Sequence, residues 1–232
     1  MFLIASTGRC GTVALCSALG DHSDHEMAHE VPPRLLEEAW LKHRGESFRT
    51  PDYESKLALF RAKEHTAYGE AFRGCTLLPE IAEAAPGTRF LIVVRDPLGY
   101  IPSAHYMWVL RKPGTTWDGQ RILPADDTPH RPLALRLADH WDEVNRYLLD
   151  FAESTSASVK VVLHGPLDER VDDWADFAGV RFIDRAAVSA RLDQQLNSST
   201  TFELPDGFDP VTIRARTRLQ WERAQRLAAQ YA

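Results

Sequence analysis

The sequence is poor in cysteine, in positive charge and in long apolar runs, and each scarcity excludes something. Three cysteines, Cys10, Cys16 and Cys75, form neither a disulfide framework nor a Cys-x-x-Cys metal pair. The expected compartment is a reducing cytoplasm. No apolar stretch approaches the length of a membrane span. The start, Met-Phe-Leu-Ile-Ala-Ser-Thr-Gly, has no basic leader and no cleavage site, so no membrane partner is expected. With 27 basic residues against 33 acidic ones, the net charge is -6. Binding to nucleic acid through a bulk positive field is not expected, although a local basic pocket fits that balance.

What is present suits one globular α/β domain over residues 1–232, elaborated by a loop. Hydrophobic residues make up 44% of the chain and charged residues 26%, close to the globular average. Residues 2–6 are a short apolar run that feeds a glycine-bearing loop, and Val13 to Leu19 suits a buried helix. Leu77 to Ala85 reads as helical, closed by Pro86-Gly87. Arg89 to Val94 is then a strand of the doubly buried, parallel kind. A helix is expected over Tyr100 to Arg111 with Pro102 in its first turn. Residues 112–132 hold four prolines and no sustained periodicity, which predicts a long irregular loop. Leu133 to Phe151 is amphipathic, with Leu133, Leu137, Trp141, Val144 and Leu148 near one face. A strand over Val159–Leu163, a helix over Leu167–Ala178 and a terminal helix over Leu219–Tyr231 complete the pattern, the last packing Leu219, Leu227 and Tyr231. Strands alternating with helices predict a doubly wound, mainly parallel sheet flanked by helices, with ligands at the carboxyl ends of its strands.

Two strand ends carry anion chemistry. In Thr7-Gly8-Arg9-Cys10-Gly11-Thr12 the glycines allow a tight turn, and the amides at the helix start point into one concavity. With the Arg9 guanidinium they make a place for phosphate or sulfate; the alternative is an ordinary turn with Arg9 solvated. The Walker A lysine is missing, which disfavours a nucleoside triphosphatase. Cys10 as a phosphatase-type nucleophile would need an arginine six residues on, where Cys16 stands. Arg95 follows the second buried strand directly and Ser103 lies in the next helix, so both can reach one oxyanion at the same edge. Alternatively Arg95 pairs with a local acid and Ser103 caps or faces water.

Together these segments resemble the sulfotransferases that use 3′-phosphoadenosine-5′-phosphosulfate (PAPS). Phe2 to Thr12 is similar to that family's 5′-phosphosulfate loop, and Arg89 to Pro97 with Ser103 is similar to its 3′-phosphate motif. The resemblance implies a P-loop-like sulfotransferase fold with PAPS as donor and adenosine-3′,5′-bisphosphate (PAP) as product. By it, Thr7, Gly8, Arg9, Cys10, Gly11 and Thr12 hold the 5′-phosphosulfate, while Arg95 and Ser103 hold the 3′-phosphate. It also implies a small-molecule or glycan hydroxyl as acceptor. Val13 departs from the pattern, standing where many members have a second Thr or Ser.

Residues 22–30 hold a second signal, His25-Glu26-Met27-Ala28-His29, which matches the zinc-protease pattern His-Glu-x-x-His. A zinc hydrolase needs these residues on a helix, and Pro32-Pro33 would stop that helix just after His29. The sulfotransferase resemblance gives the segment another role: Glu30 falls where some members carry the base that deprotonates the acceptor, with His29 beside it. Glu70 is a rival carboxylate. A nucleotide kinase or a non-catalytic nucleotide-binding relative stays open as a further alternative. The loop at 112–132 and the segment around 31–55 are candidates for the acceptor pocket and its lid, with Tyr106, Trp108 and Trp117 as stacking surfaces. No metal is expected.

Overall fold

The structure, a computed structural model, describes residues 1–107, 131–165, 167–196 and 202–230. Five strands, β1 (Phe2–Ser6), β2 (Glu26–His29), β3 (Tyr68–Phe72), β4 (Arg89–Val94) and β5 (Ser158–Leu163), form one parallel sheet in the order β2-β3-β1-β4-β5. This is the expected doubly wound α/β class. Side chains alternate across the strands and so serve two cores. On β4, Phe90, Ile92 and Val94 join one cluster, and Leu91 and Val93 the other. Helices cover both faces, which is why β1 and β4 read as continuous apolar runs.

One face is covered by α1 (Thr12–His22), α7 (Leu167–Ala178) and α8 (Arg185–Leu196). The other carries α2 (Leu36–His43), α3 (Pro51–Lys63), α4 (Leu78–Ala84), α5 (Pro97–His105), α6 (Leu133–Ser154) and α9 (Pro210–Ala229). Helix α6 buries Leu137, Trp141, Val144 and Leu148, as its periodicity predicts.

Two helix starts differ from expectation for identifiable reasons. Helix α5 begins at Pro97, because the Asp96 carboxylate accepts the Leu98 N–H and proline fits the first helical turn. Pro102 therefore lies inside the helix, whose α-helical part spans Pro97–His105, and the expected end at Arg111 lies outside the described residues. Asp209 caps α9 in the same way, starting it at Pro210 rather than Leu219. Its buried face is Ile213, Thr217, Gln220, Ala224 and Leu227, whereas Leu219 is 64% exposed. Tyr231, Trp108, Trp117 and almost all of the 112–132 loop lie outside the described residues. Tyr106 packs against Phe202, with ring centroids 5.3 Å apart. Helix α2 is tied to the body through Lys42, whose Nζ donates to the Thr76 carbonyl at 2.6 Å and to the Glu80 carboxylate.

Candidate active site

Parallel strands bring all their carboxyl ends to one edge. That edge gathers His29 and Glu30 from β2, Arg73 after β3, the 7–12 loop after β1, Arg95 after β4 and His164 after β5. After β1 the chain runs to one side through β2 and β3, then crosses to β4 on the other. The loop of β1 thus lies at the switch point, where such sheets bind ligands.

The 7–12 loop has the shape its glycines predict. Gly8, Arg9 and Gly11 have φ of 78°, 56° and 73°. For Arg9 this left-handed conformation costs roughly 1–2 kcal/mol, so the surrounding contacts must hold it. Arg95 Nη1 donates to the Arg9 carbonyl at 2.6 Å, and Arg9 Nε donates to Ser103 Oγ at 3.3 Å. Behind them, the Trp141 indole N–H donates to the Arg95 carbonyl at 2.9 Å. The two guanidinium groups and the serine hydroxyl therefore meet in one corner. The competing partner for Arg95 is spent elsewhere, since Asp96 accepts from the Leu98 amide and from Arg214. Burial draws Arg95 below its usual value, so the desolvated cation favours an anion nearby.

Helix α1 starts at this corner with no capping side chain and no acid in its first turn. Thr50, Asp96 and Asp209 cap α3, α5 and α9, while α2, α4 and α6 also begin without a capping side chain. What distinguishes the start of α1 is that it adjoins the guanidinium corner, where its amides and dipole favour an anion. Thr7 and Cys10 shape the loop from within. The Thr7 hydroxyl donates to the Gly8 carbonyl at 3.2 Å, as does the Cys10 thiol at the same distance. Burial raises Cys10 above the ordinary thiol value, which removes it as a nucleophile.

At the end of β2, His29 Nε2 lies 3.2 Å from Thr12 Oγ1, on the first turn of α1. Glu30 Oε1 is 3.9 Å from the same nitrogen, and Arg73 Nη1 is 3.3 Å from Glu30 Oε2. Glu30 also has a positive φ, 52°, despite its side chain. With Arg9 and Leu35 it makes three non-glycine residues so strained among those described, and two of the three are at this edge. Burial draws His29 below 6.5, with Glu30 pulling it up and Arg73 pulling it down; the ring is neutral at neutral pH.

The zinc arrangement is overturned. His25 lies just before strand β2 and His29 ends it, so the shared helical face that a zinc His-Glu-x-x-His site needs does not form. His25 pairs with Asp24 at 2.7 Å, and no group of metal-binding side chains occurs among the described residues. Glu70 also fails as a rival base. The pleat turns it into the core with Tyr68 and Phe72, and it is 1% exposed against Lys56. Sequence reasoning missed Arg73, His164 and Lys56; a polar residue just after a strand was the available signal for the first two, and Lys56, inside α3, left none.

Burial, helped by Arg95, lowers His164 to about 4. The unfolded chain therefore takes up the His164 and His29 protons first as pH falls. The contribution of these two histidines to stability is whole above about pH 6.5 and is lost on descent towards 4. His164→Gln should flatten the urea midpoint between about pH 7 and 4.5. An equally steep loss in the variant would remove His164 as the source.

No protein-family model and no curated protein matches the sequence. Solved structures do. A sulfotransferase from Alicyclobacillus acidocaldarius superposes with a TM-score of 0.54 at 18% identity, covering 98% of this chain and 95% of that one. The sulfotransferase domain from the curacin biosynthetic pathway gives a TM-score of 0.54 at 14% identity, covering 99% and 96%. At such identities the likeness establishes architecture: the chain has a sulfotransferase-like α/β fold.

Proposed function

We propose that the protein is a sulfotransferase moving a sulfuryl group from PAPS to a hydroxyl of a small molecule or glycan. The observation that carries this reading is the meeting of Arg9, Arg95 and Ser103 at the uncapped start of α1. A nucleotide with anionic groups at both its 3′ and 5′ ends matches a corner where two guanidinium groups and a hydroxyl converge.

In this assignment Arg95 and Ser103 bind the 3′-phosphate. Arg9, the 8–12 amides and the Thr12 hydroxyl hold the 5′ end, where the helix dipole favours negative charge. PAPS, when bound, supplies the activated sulfuryl group. Glu30 accepts the proton of the acceptor hydroxyl, and neutral His29, beside Thr12, orients that hydroxyl. These residues act by positioning and by fixed charge.

Thermal shift with separate nucleotides tests the donor. At about 100 times Kd, PAP should raise the melting temperature by roughly 5–10 °C, and AMP or ATP far less. An equal shift with AMP removes 3′-phosphate recognition, and a larger one with ATP favours a nucleotide kinase.

A further inference from the structure

Beneath Glu30 lies an ion pair that the reaction described so far does not use. Lys56 on α3 and Glu70 on β3 have side chains 0% and 1% exposed. Lys56 Nζ donates to Glu70 Oε1 at 2.7 Å and Oε2 at 3.0 Å, and to the Val31 carbonyl at 2.8 Å. The Tyr68 hydroxyl donates to Glu70 Oε2 at 2.7 Å. Val31 immediately follows Glu30, the residue in the left-handed conformation. The adjoining backbone is held on either side: the Glu30 N–H donates to the Ala71 carbonyl at 3.0 Å, and Arg34 Nε donates to the Glu30 carbonyl at 3.2 Å.

We infer that the Lys56–Glu70 pair is a buried strut that fixes the Glu30–Val31 turn, making both side chains positioning residues for proton removal from the acceptor. This rests on the reading of Glu30 as the base. The desolvation of a buried ion pair largely offsets its attraction, and apolar side chains of equal volume commonly hold two elements together as well. An apolar pair does not grip a carbonyl. The ammonium does, and the carbonyl it grips adjoins the strained residue whose carboxylate must meet the acceptor. Catalytic geometry tolerates errors of only ~0.5 Å.

The double variant K56M/E70Q tests this, because it leaves no charge unpaired and its new amide still accepts from the Tyr68 hydroxyl. Amide exchange at Glu30 should speed at least ~10-fold, with β1 and β4 amides unchanged. PAP affinity should stay within about twofold. With labelled PAPS, and with 2-naphthol, 1-decanol and glucose as acceptors, kcat should fall by ~10- to 100-fold without a matching rise in KM. Adding E30Q should cost under ~3-fold in this background, against at least ~10-fold in the parent. Unchanged protection at Glu30 overturns the strut, as does E30Q costing its full factor in both backgrounds; the base reading survives either result. If E30Q costs nothing in the parent, the base reading itself falls and the inference with it. Lys56→Gln combined with Glu70→Gln supports the same cycle should the methionine variant fail to fold.

Discussion

Arg95→Ala is expected to weaken PAP binding by roughly 10- to 100-fold while changing AMP binding only a few-fold. A hydrogen bond to a charged group contributes about 1.5–3 kcal/mol, and each 1.4 kcal/mol is about a decade in affinity. The small loss for AMP has a separate source. Arg95 Nη1 also holds the Arg9 carbonyl at 2.6 Å, so its removal loosens the loop that both nucleotides share. Arg95→Lys should restore charge but not the planar fork, giving an intermediate PAP affinity. Titration calorimetry with PAP and AMP on parent and variants decides. Equal losses for the two nucleotides would mean that Arg95 shapes the loop and does not read the 3′-phosphate.

Why this corner was legible in the sequence, and its neighbour less so, follows from what each strand buries. Strands β1, β4 and β5 are covered on both faces, so their apolar runs announce them, and the glycine loop and Arg95 stand directly after them. Among the described residues strand β2 is an edge strand of Glu26, Met27, Ala28 and His29, pairing with β3 alone. Little apolar surface marks it, and its histidines suggest a metal helix instead. Strand β3 carries Gly69 and Glu70, neither of them a strand former. Its glycine is needed because a Cβ there would come within 2.5 Å of the Phe2 ring. Its glutamate is tolerated because Lys56, fourteen residues earlier, neutralises it. A partner on another element leaves no periodic trace, so such pairs become visible only once the chain is folded. Polar Thr217 and Gln220 on the buried face of α9 hid that helix's true orientation; their partners, the Ile213 carbonyl and Arg223, lie on the same helix.

The site has two electrostatic halves divided by α1. At the Arg95 corner the acid next in sequence is drawn off by a helix cap and by Arg214, so positive charge is left for a ligand. At the β2 end Arg73 answers Glu30, and the nearby imidazole is neutral. Thr12, at the start of α1, touches the second half through His29 and lies on the loop that bounds the first. Under the proposed transfer, a group held at the helix start would have the anion corner on one side and Glu30 on the other, the placement that in-line displacement requires.

Glu30→Gln should accordingly lower kcat at least ~10-fold, within the 10²–10⁴-fold range of a positioned base when proton removal limits turnover. PAP affinity should stay within about twofold, because Glu30 contacts His29 and Arg73 rather than Arg95 or Ser103. The amide keeps the carboxylate's shape and still accepts from Arg73, so misfolding is a poor explanation for a rate loss on that scale. His29→Asn separates the two candidate bases. If Glu30 takes the proton, that variant loses mainly acceptor affinity, and the acid limb of kcat persists. If His29 takes it, the acid limb disappears in His29→Asn, and Glu30→Gln costs little. Rate–pH profiles of the two variants at saturating PAPS distinguish these outcomes, and full turnover by Glu30→Gln would move the base to the His29 imidazole at the end of β2.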